Sequence, residues 1–170
     1  MTLPSEDETP SPALTATQAA LAAEHAAVYG YGVLGGRITG KRRTEASAAY
    51  DGHRARRDAL MWRVRDLGGA PVAADAAYAL PFAVTDTASA LRLAAILEDR
   101  VAGACSDLVR ATEGPARADA AGALREAAVR AARWRGGNVA FPGLAERAPG
   151  AGPAEKTGPV EAAGADTPEG

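Results

Sequence analysis

The sequence predicts an all-α protein, a bundle of four helices around a polar centre. Three observations carry that expectation. First, residues recur at steps of three and four along three otherwise apolar seams. These are Leu21, Glu24, Val28 and Tyr31; Tyr50, His53, Arg57, Leu60, Val64 and Leu67; and Leu91, Ala94, Glu98, Val101, Cys105 and Leu108. Such steps keep residues on one face of an α-helix. Second, the hydrophobic fraction is 47% while aromatic residues make up only 5%, because alanine supplies much of it. Alanine is the best helix former and lets helices approach closely. Third, runs of β-branched and aromatic residues of the kind that build strands are missing. Each seam also carries one potential metal ligand: Glu24, His53 or Glu98. A carboxylate on a packed seam is costly unless it is paired, protonated or bound to a cation.

Residues 1–14 are polar and proline-containing, and are expected to form a disordered arm. Thr15 with Gln18 makes a capping-box pattern that opens helix 1, which runs to about Ile38. Gly40 and the basic run Lys41, Arg42 and Arg43 read as the turn. Helix 2 spans Thr44 to Leu67 and stops at Gly68, Gly69 and Pro71. A connection over 68–85 carries Tyr78, Pro81 and Phe82. Asp86 caps helix 3, which runs to about Thr112. Gly114 and Pro115 start helix 4, and Gly136 and Gly137 end it. Phe141, Pro142 and Leu144 are expected to fold back over the bundle end. Residues 145–170 are Gly, Ala, Pro and charge, the composition of a disordered tail. The domain expected is therefore 15–144.

The links set the topology. Short links 1–2 and 3–4 make antiparallel hairpins. The long link 2–3 can run the length of the bundle, since extended chain spans at most about 3.3–3.6 Å per residue. Two hairpins joined by one long crossover between helices 2 and 3 is the ferritin-like arrangement of an antiparallel four-helix bundle.

Charge and cysteine usage bound the setting. The formal charge of −2 hides acidic ends around a mildly basic middle, with −3 in 1–14, −3 in 145–170 and +4 between. The 17 arginines against 2 lysines fit a GC-rich coding bias. Cys105 stands alone, so no internal disulfide forms, which fits a reducing compartment. Its seam position marks a small buried side chain rather than a nucleophile. No signal-peptide pattern opens the chain, and no stretch approaches the roughly 20 apolar residues of a membrane span. A soluble, cytoplasmic protein without membrane contact is expected.

Residues 15–144 resemble an uncharacterised actinobacterial family of ferritin-like domains. The resemblance rests on Ala23-Glu24-His25-Ala26-Ala27-Val28-Tyr29-Gly30-Tyr31-Gly32, on His53-Arg54-Ala55-Arg56-Arg57-Asp58, on Ala79-Leu80-Pro81-Phe82-Ala83-Val84 and on Ala131-Ala132-Arg133-Trp134. The wider ferritin-like superfamily holds two metals, iron or manganese, on glutamates and Glu-x-x-His pairs. That likeness implies Glu24, His53 and Glu98 as metal ligands. It also implies two departures: Tyr50 stands where helix 2 needs its bridging glutamate, and Val129 where helix 4 needs its histidine. Two glutamates and one histidine suit at most one metal with open positions, whereas a two-metal oxidation site needs several carboxylates.

Two readings of Glu24, His53 and Glu98 therefore stand. One is a single-metal or vestigial di-metal site, and with it a metal-dependent oxidoreductase or storage relative. The other is a buried ion-pair cluster in a non-enzymatic protein, with Tyr50, Arg57 and Arg133 or Arg130 as its polar neighbours. Inward arginines favour the second, because they repel a metal and satisfy carboxylates in pairs. On that reading no cofactor is needed. Of the remaining motifs, His25 at the seam edge reads as a packed or surface residue. Gly30, Gly32 and Gly35 spell G-x-G-x-x-G, but no strand precedes them, so they read as close helix packing rather than a dinucleotide site. Helix 2 carries five arginines interspersed with Asp51, Asp58 and Asp66, without the aromatic interleaving that stacks bases, which argues against nucleic acid. Trp62 and Trp134 are core-edge residues and the candidate contact of a homodimer.

Overall fold

A computed structural model describes residues 9–137. It contains α1 (Pro12–Gly35), α2 (Gly40–Asp66), α3 (Thr87–Ala111) and α4 (Gly114–Arg135). Among the described residues there is no strand. The expected fold-back of Phe141, Pro142 and Leu144, the tail 145–170 and most of the arm 1–14 lie outside the described residues.

Each helix starts and stops for a local reason. α1 begins earlier than Thr15, because Ser11 accepts a hydrogen bond from the Leu14 backbone at 3.2 Å and Pro12 occupies the first helical position. Serine followed by proline is the stronger start signal, and it moves residues 12–14 from the arm into the helix. Gln18, freed from capping, serves the crossover instead. α1 ends at Gly35 rather than Ile38, and Ile38 is buried beyond it. The basic run 41–43 belongs to α2, not to the turn, since Thr39 is already extended at the N-cap and Gly40 enters with a positive φ of 59°. Asp86 and Ser89 form a reciprocal capping box on α3. α4 ends on Gly136 in the left-handed conformation, its N–H and that of Gly137 both bonded to the Ala132 carbonyl.

Two apolar clusters fix how the helices run. Tyr31 and Leu34 late in α1, Ala46 and Ala49 early in α2, Leu93 early in α3 and Trp134 late in α4 share one end. Ala16 and Ala20 of α1, Leu108 of α3 and Ala120 of α4 share the other, with Leu60 of α2 beside them. So α1 and α4 run one way and α2 and α3 the other. The segment 67–86 must travel from one end of the bundle to the other.

That crossover climbs along α1, held at successive turns. Gln18 donates to the Ala70 carbonyl at 2.6 Å and accepts from the Val72 N–H at 2.9 Å. The buried ring of His25 bonds the Val72 carbonyl through Nε2 at 3.1 Å. Tyr29 meets Tyr78 ring to ring at 5.4 Å. Leu80, Phe82 and Val84 then pack on the cluster that holds Trp134.

The helices do not all close on one another. α1 packs on α2 and α3, and α3 packs on α4. Close packing of α1 on α3 uses Gly30: a Cβ there would stand 2.5 Å from Leu97 Cδ1. α2 and α4 instead face each other across two clefts, of about 470 Å³ beside Ala49, Val129 and Trp134 and about 680 Å³ beside Leu60, Cys105 and Leu108. The exposed Val129 lines one and the exposed Trp62 the other.

Candidate functional site: a buried ion-pair cluster

Glu24 of α1, His53 of α2 and Glu98 of α3 meet in the centre of the bundle, each at most 1% exposed. The imidazole lies between the carboxylates. Its Nδ1 donates to Glu24 Oε2 at 2.6 Å and its Nε2 to Glu98 Oε1 at 3.2 Å. An ionised carboxylate only accepts, so an imidazole that bonds one at each nitrogen must carry both protons. Burial opposes that charge, but the hydrogen bonds and charges of Glu24 and Glu98 outweigh it and hold the His53 pKa above its ordinary 6.5.

Arginines complete the cluster. Arg130 Nε of α4 donates to Glu98 Oε1 at 2.7 Å, and Arg56 Nη1 stands 3.6 Å from Glu24 Oε1. Glu126, exposed on α4, ties the two guanidinium groups together, at 2.7 Å from Arg56 Nη2 and 3.7 Å from Arg130 Nη1. Burial works against both Glu98 and Arg130 as ions. For Glu98 the hydrogen bond and charge of His53, followed by those of Arg130, outweigh it and lower the pKa; for Arg130 the hydrogen bond and charge of Glu98 outweigh it and raise the pKa. Glu24, Glu98 and Glu126 thus face His53, Arg56 and Arg130, three acids against three cations. With His53 protonated the cluster is neutral without any further ion.

Tyr31 and Trp134 extend it by hydrogen bonds. The Tyr31 hydroxyl donates to Glu98 Oε1 at 2.6 Å and accepts from Trp134 Nε1 at 2.8 Å. Burial and the Glu98 charge hold the phenol well above its ordinary pKa, so it stays a neutral donor. Glu98 Oε1 therefore takes three donors, while Glu98 Oε2 and Glu24 Oε1 have no hydrogen-bond partner.

Some expected neighbours lie elsewhere. Arg57 turns away to Asp58 at 2.7 Å, and Arg56, one residue earlier, takes the inward place. Arg133 is exposed, because Arg130 sits one turn closer to Glu98. Tyr50 packs against the apolar end cluster beneath the Arg54 guanidinium rather than joining the ions. Trp134 is buried core, not core edge, whereas Trp62 is 66% exposed. Cys105 is buried, and burial together with the Glu24 charge pushes its thiol pKa up to about 12, which suits packing and not nucleophilic attack. The sequence did hold signals for the missed members. Tyr31 continues the Glu24 seam, and Arg56 lies one helical step of three beyond His53.

The set does not fit a metal pair. The two carboxylates sit at opposite nitrogens of one ring and do not converge on a common point, and His53 offers no lone pair while it bonds both. Among the described residues no group of three or more His, Cys, Asp or Glu side chains is arranged to hold a metal ion. Tyr50 and Val129 add no ligand where the ferritin-like pattern would need one.

A family model described as a domain of unknown function, DUF4439, matches residues 16–146. The chain belongs to this family. The DUF4439 match begins inside α1 and runs past the end of α4. Among solved structures the chain is similar to a conserved hypothetical protein, rv2844, from Mycobacterium tuberculosis, at 35% identity and a TM-score of 0.71. That likeness covers 75% of this chain and 98% of the other. No curated protein matches the chain. Neither DUF4439 nor the hypothetical protein supplies an activity. Among the described residues no helix is long and apolar enough to cross a membrane.

Proposed function

We propose that this is a ferritin-like, non-enzymatic protein in which a di-metal centre has been replaced by a buried ion-pair cluster, and that its activity is carried by its surfaces. The helix directions and the long crossover support the ferritin-like reading. The observation that carries the replacement is His53 bonded at both nitrogens, with Arg130 and Arg56 supplying the cations that metals would otherwise supply. The soluble, cytoplasmic setting and a homodimer through the exposed Trp62 remain part of this reading.

Elemental analysis of purified wild type and Glu24→Ala tests it. The expected result is well under one iron, manganese or zinc per chain in both, with the variant less stable. About one metal per chain in wild type, lost in Glu24→Ala, would overturn it.

A second reading rests on the two buried oxygens without hydrogen bonds, Glu24 Oε1 and Glu98 Oε2. In an iron- or manganese-binding oxidoreductase or storage relative these atoms would face the cation. His53 would then have to lose a proton and Arg56 withdraw. The same metal analysis decides between the two.

A further inference from the structure

The cleft that α2 and α4 leave open beside Trp134 carries charge that nothing in the described residues balances. Both of its acids are engaged, Glu45 with Arg42 at 3.1 Å and Glu126 with Arg56 at 2.7 Å. Of its three arginines, Arg130 is bonded to Glu98. Arg125 and Arg133 are exposed and have no hydrogen-bond or ion-pair partner among the described residues. The sequence of α4 gives the reason. Pairing along a helix needs an acid three or four residues away. Arg125 has Ala121, Gly122, Ala128 and Val129 at those places, and Arg133 has Val129, Arg130, Gly136 and Gly137. The arginines of α2 differ, since Arg54 and Arg57 sit beside Asp51 and Asp58.

Arg125, Val129 and Arg133 step by four and form one stripe of α4. The two arginines leave the helix about 12 Å apart along its axis, one on each side of Val129. Val129 is 44% exposed, and Ala48 and Ala49 of α2 line the same cleft. We propose that this cleft binds a small organic oxyanion, a carboxylate or phosphate carried on an apolar body. The guanidinium forks of Arg125 and Arg133 close on the oxyanion above Val129, in the paired geometry that such groups favour. The body lies on Val129, Ala48 and Ala49. A volume of about 470 Å³ is in the range of small-molecule sites. Such a site supplies a ligand for the surfaces held above to carry the activity, and it is independent of whether the buried cluster takes a metal.

The test uses the full chain with Trp62→Phe, which leaves Trp134 as the single tryptophan and the reporter of this cleft. Titration with phenyl phosphate and with 3-phenylpropionate is expected to change its emission saturably. Benzyl alcohol, with the same ring and no charge, is expected not to. Arg125→Ala and Arg133→Ala are each expected to weaken binding about tenfold or more, the scale of a charge-assisted hydrogen bond. Neither breaks a contact among the described residues, so both variants should fold as wild type does. Arg110→Ala removes the same charge from a 79% exposed side chain of α3 and is expected to leave binding unchanged. Val129→Glu places a carboxylate four residues from each arginine and is expected to abolish binding. Failure of both acids to bind saturably would overturn the proposal. So would equal weakening by Arg110→Ala, or benzyl alcohol binding as well as the acids. Binding of a single-stranded oligonucleotide through the same arginines, with neither acid bound, would make the stripe a polyanion surface and overturn it equally.

Discussion

The His53 ring bonds Glu24 through Nδ1 at 2.6 Å and Glu98 through Nε2, so a single imidazolium joins α2 to both α1 and α3. The cluster is balanced only while that proton stays. Loss of it leaves two buried carboxylates against a neutral ring.

Stability should therefore fall on the alkaline side. His53 has a folded pKa above its ordinary 6.5, so its contribution is complete below about pH 6.5 and is lost as pH rises through the raised value. Glu98 has a folded pKa below its ordinary 4.5, so its contribution is complete above that and is lost on acidification. Urea unfolding across pH 4 to 10 should show a maximum between these limits. His53→Gln should lower the maximum by about 3–5 kcal/mol, the scale for breaking a buried pair, and flatten the alkaline limb. An alkaline limb unchanged in His53→Gln would assign it to another group.

Gly30 and Gly32 should respond to alanine with opposite signs. At Gly30 the new methyl meets Leu97 Cδ1 at 2.5 Å inside the core, and overpacking there costs about 1–3 kcal/mol, more than the helix gain offsets. At Gly32 nothing lies within 4 Å, so Gly32→Ala should stabilise by up to about 1 kcal/mol. Two urea midpoints measure this, and shifts of the same sign would show that α1 and α3 are not so close at Gly30.

Gln18→Ala should loosen the crossover without touching the cluster. It removes both bonds to Ala70 and Val72, at about 0.5–1.5 kcal/mol each. Limited proteolysis should cut 70–80 faster, while the pH profile of stability keeps its shape. A changed pH profile would mean that the crossover bears on His53 after all.

Much of this was legible in the chain. The steps of three and four placed Glu24, His53 and Glu98 on inward faces, and the packing brought all three together. The long link gave the helix directions. What spacing does not carry is which of two adjacent arginines turns inward. Arg56 and Arg57 differ by one 100° step, and the position of Glu126 on α4 decides between them. Nor does it show that Gln18 serves a distant loop: a capping pattern at Thr15 looks the same whether or not Ser11 has already started the helix. Tyr31 and Trp134 have ordinary core spacing, and their polar role appears only when Glu98 is known to lie within reach.

α2 buries only Ala46, Ala49, His53 and Val64, few and mostly small. Small side chains tolerate sliding, so apolar contact alone would let this helix slip lengthwise against α1. A slip by one turn would carry His53 about 5.4 Å from both glutamates. The buried Glu24 and the imidazolium would be parted, at a cost of several kcal/mol, and Glu98 would keep only Arg130 and Tyr31. His53 thus acts as an alignment pin. It admits one register of α2 and rejects its neighbours, an error check on assembly.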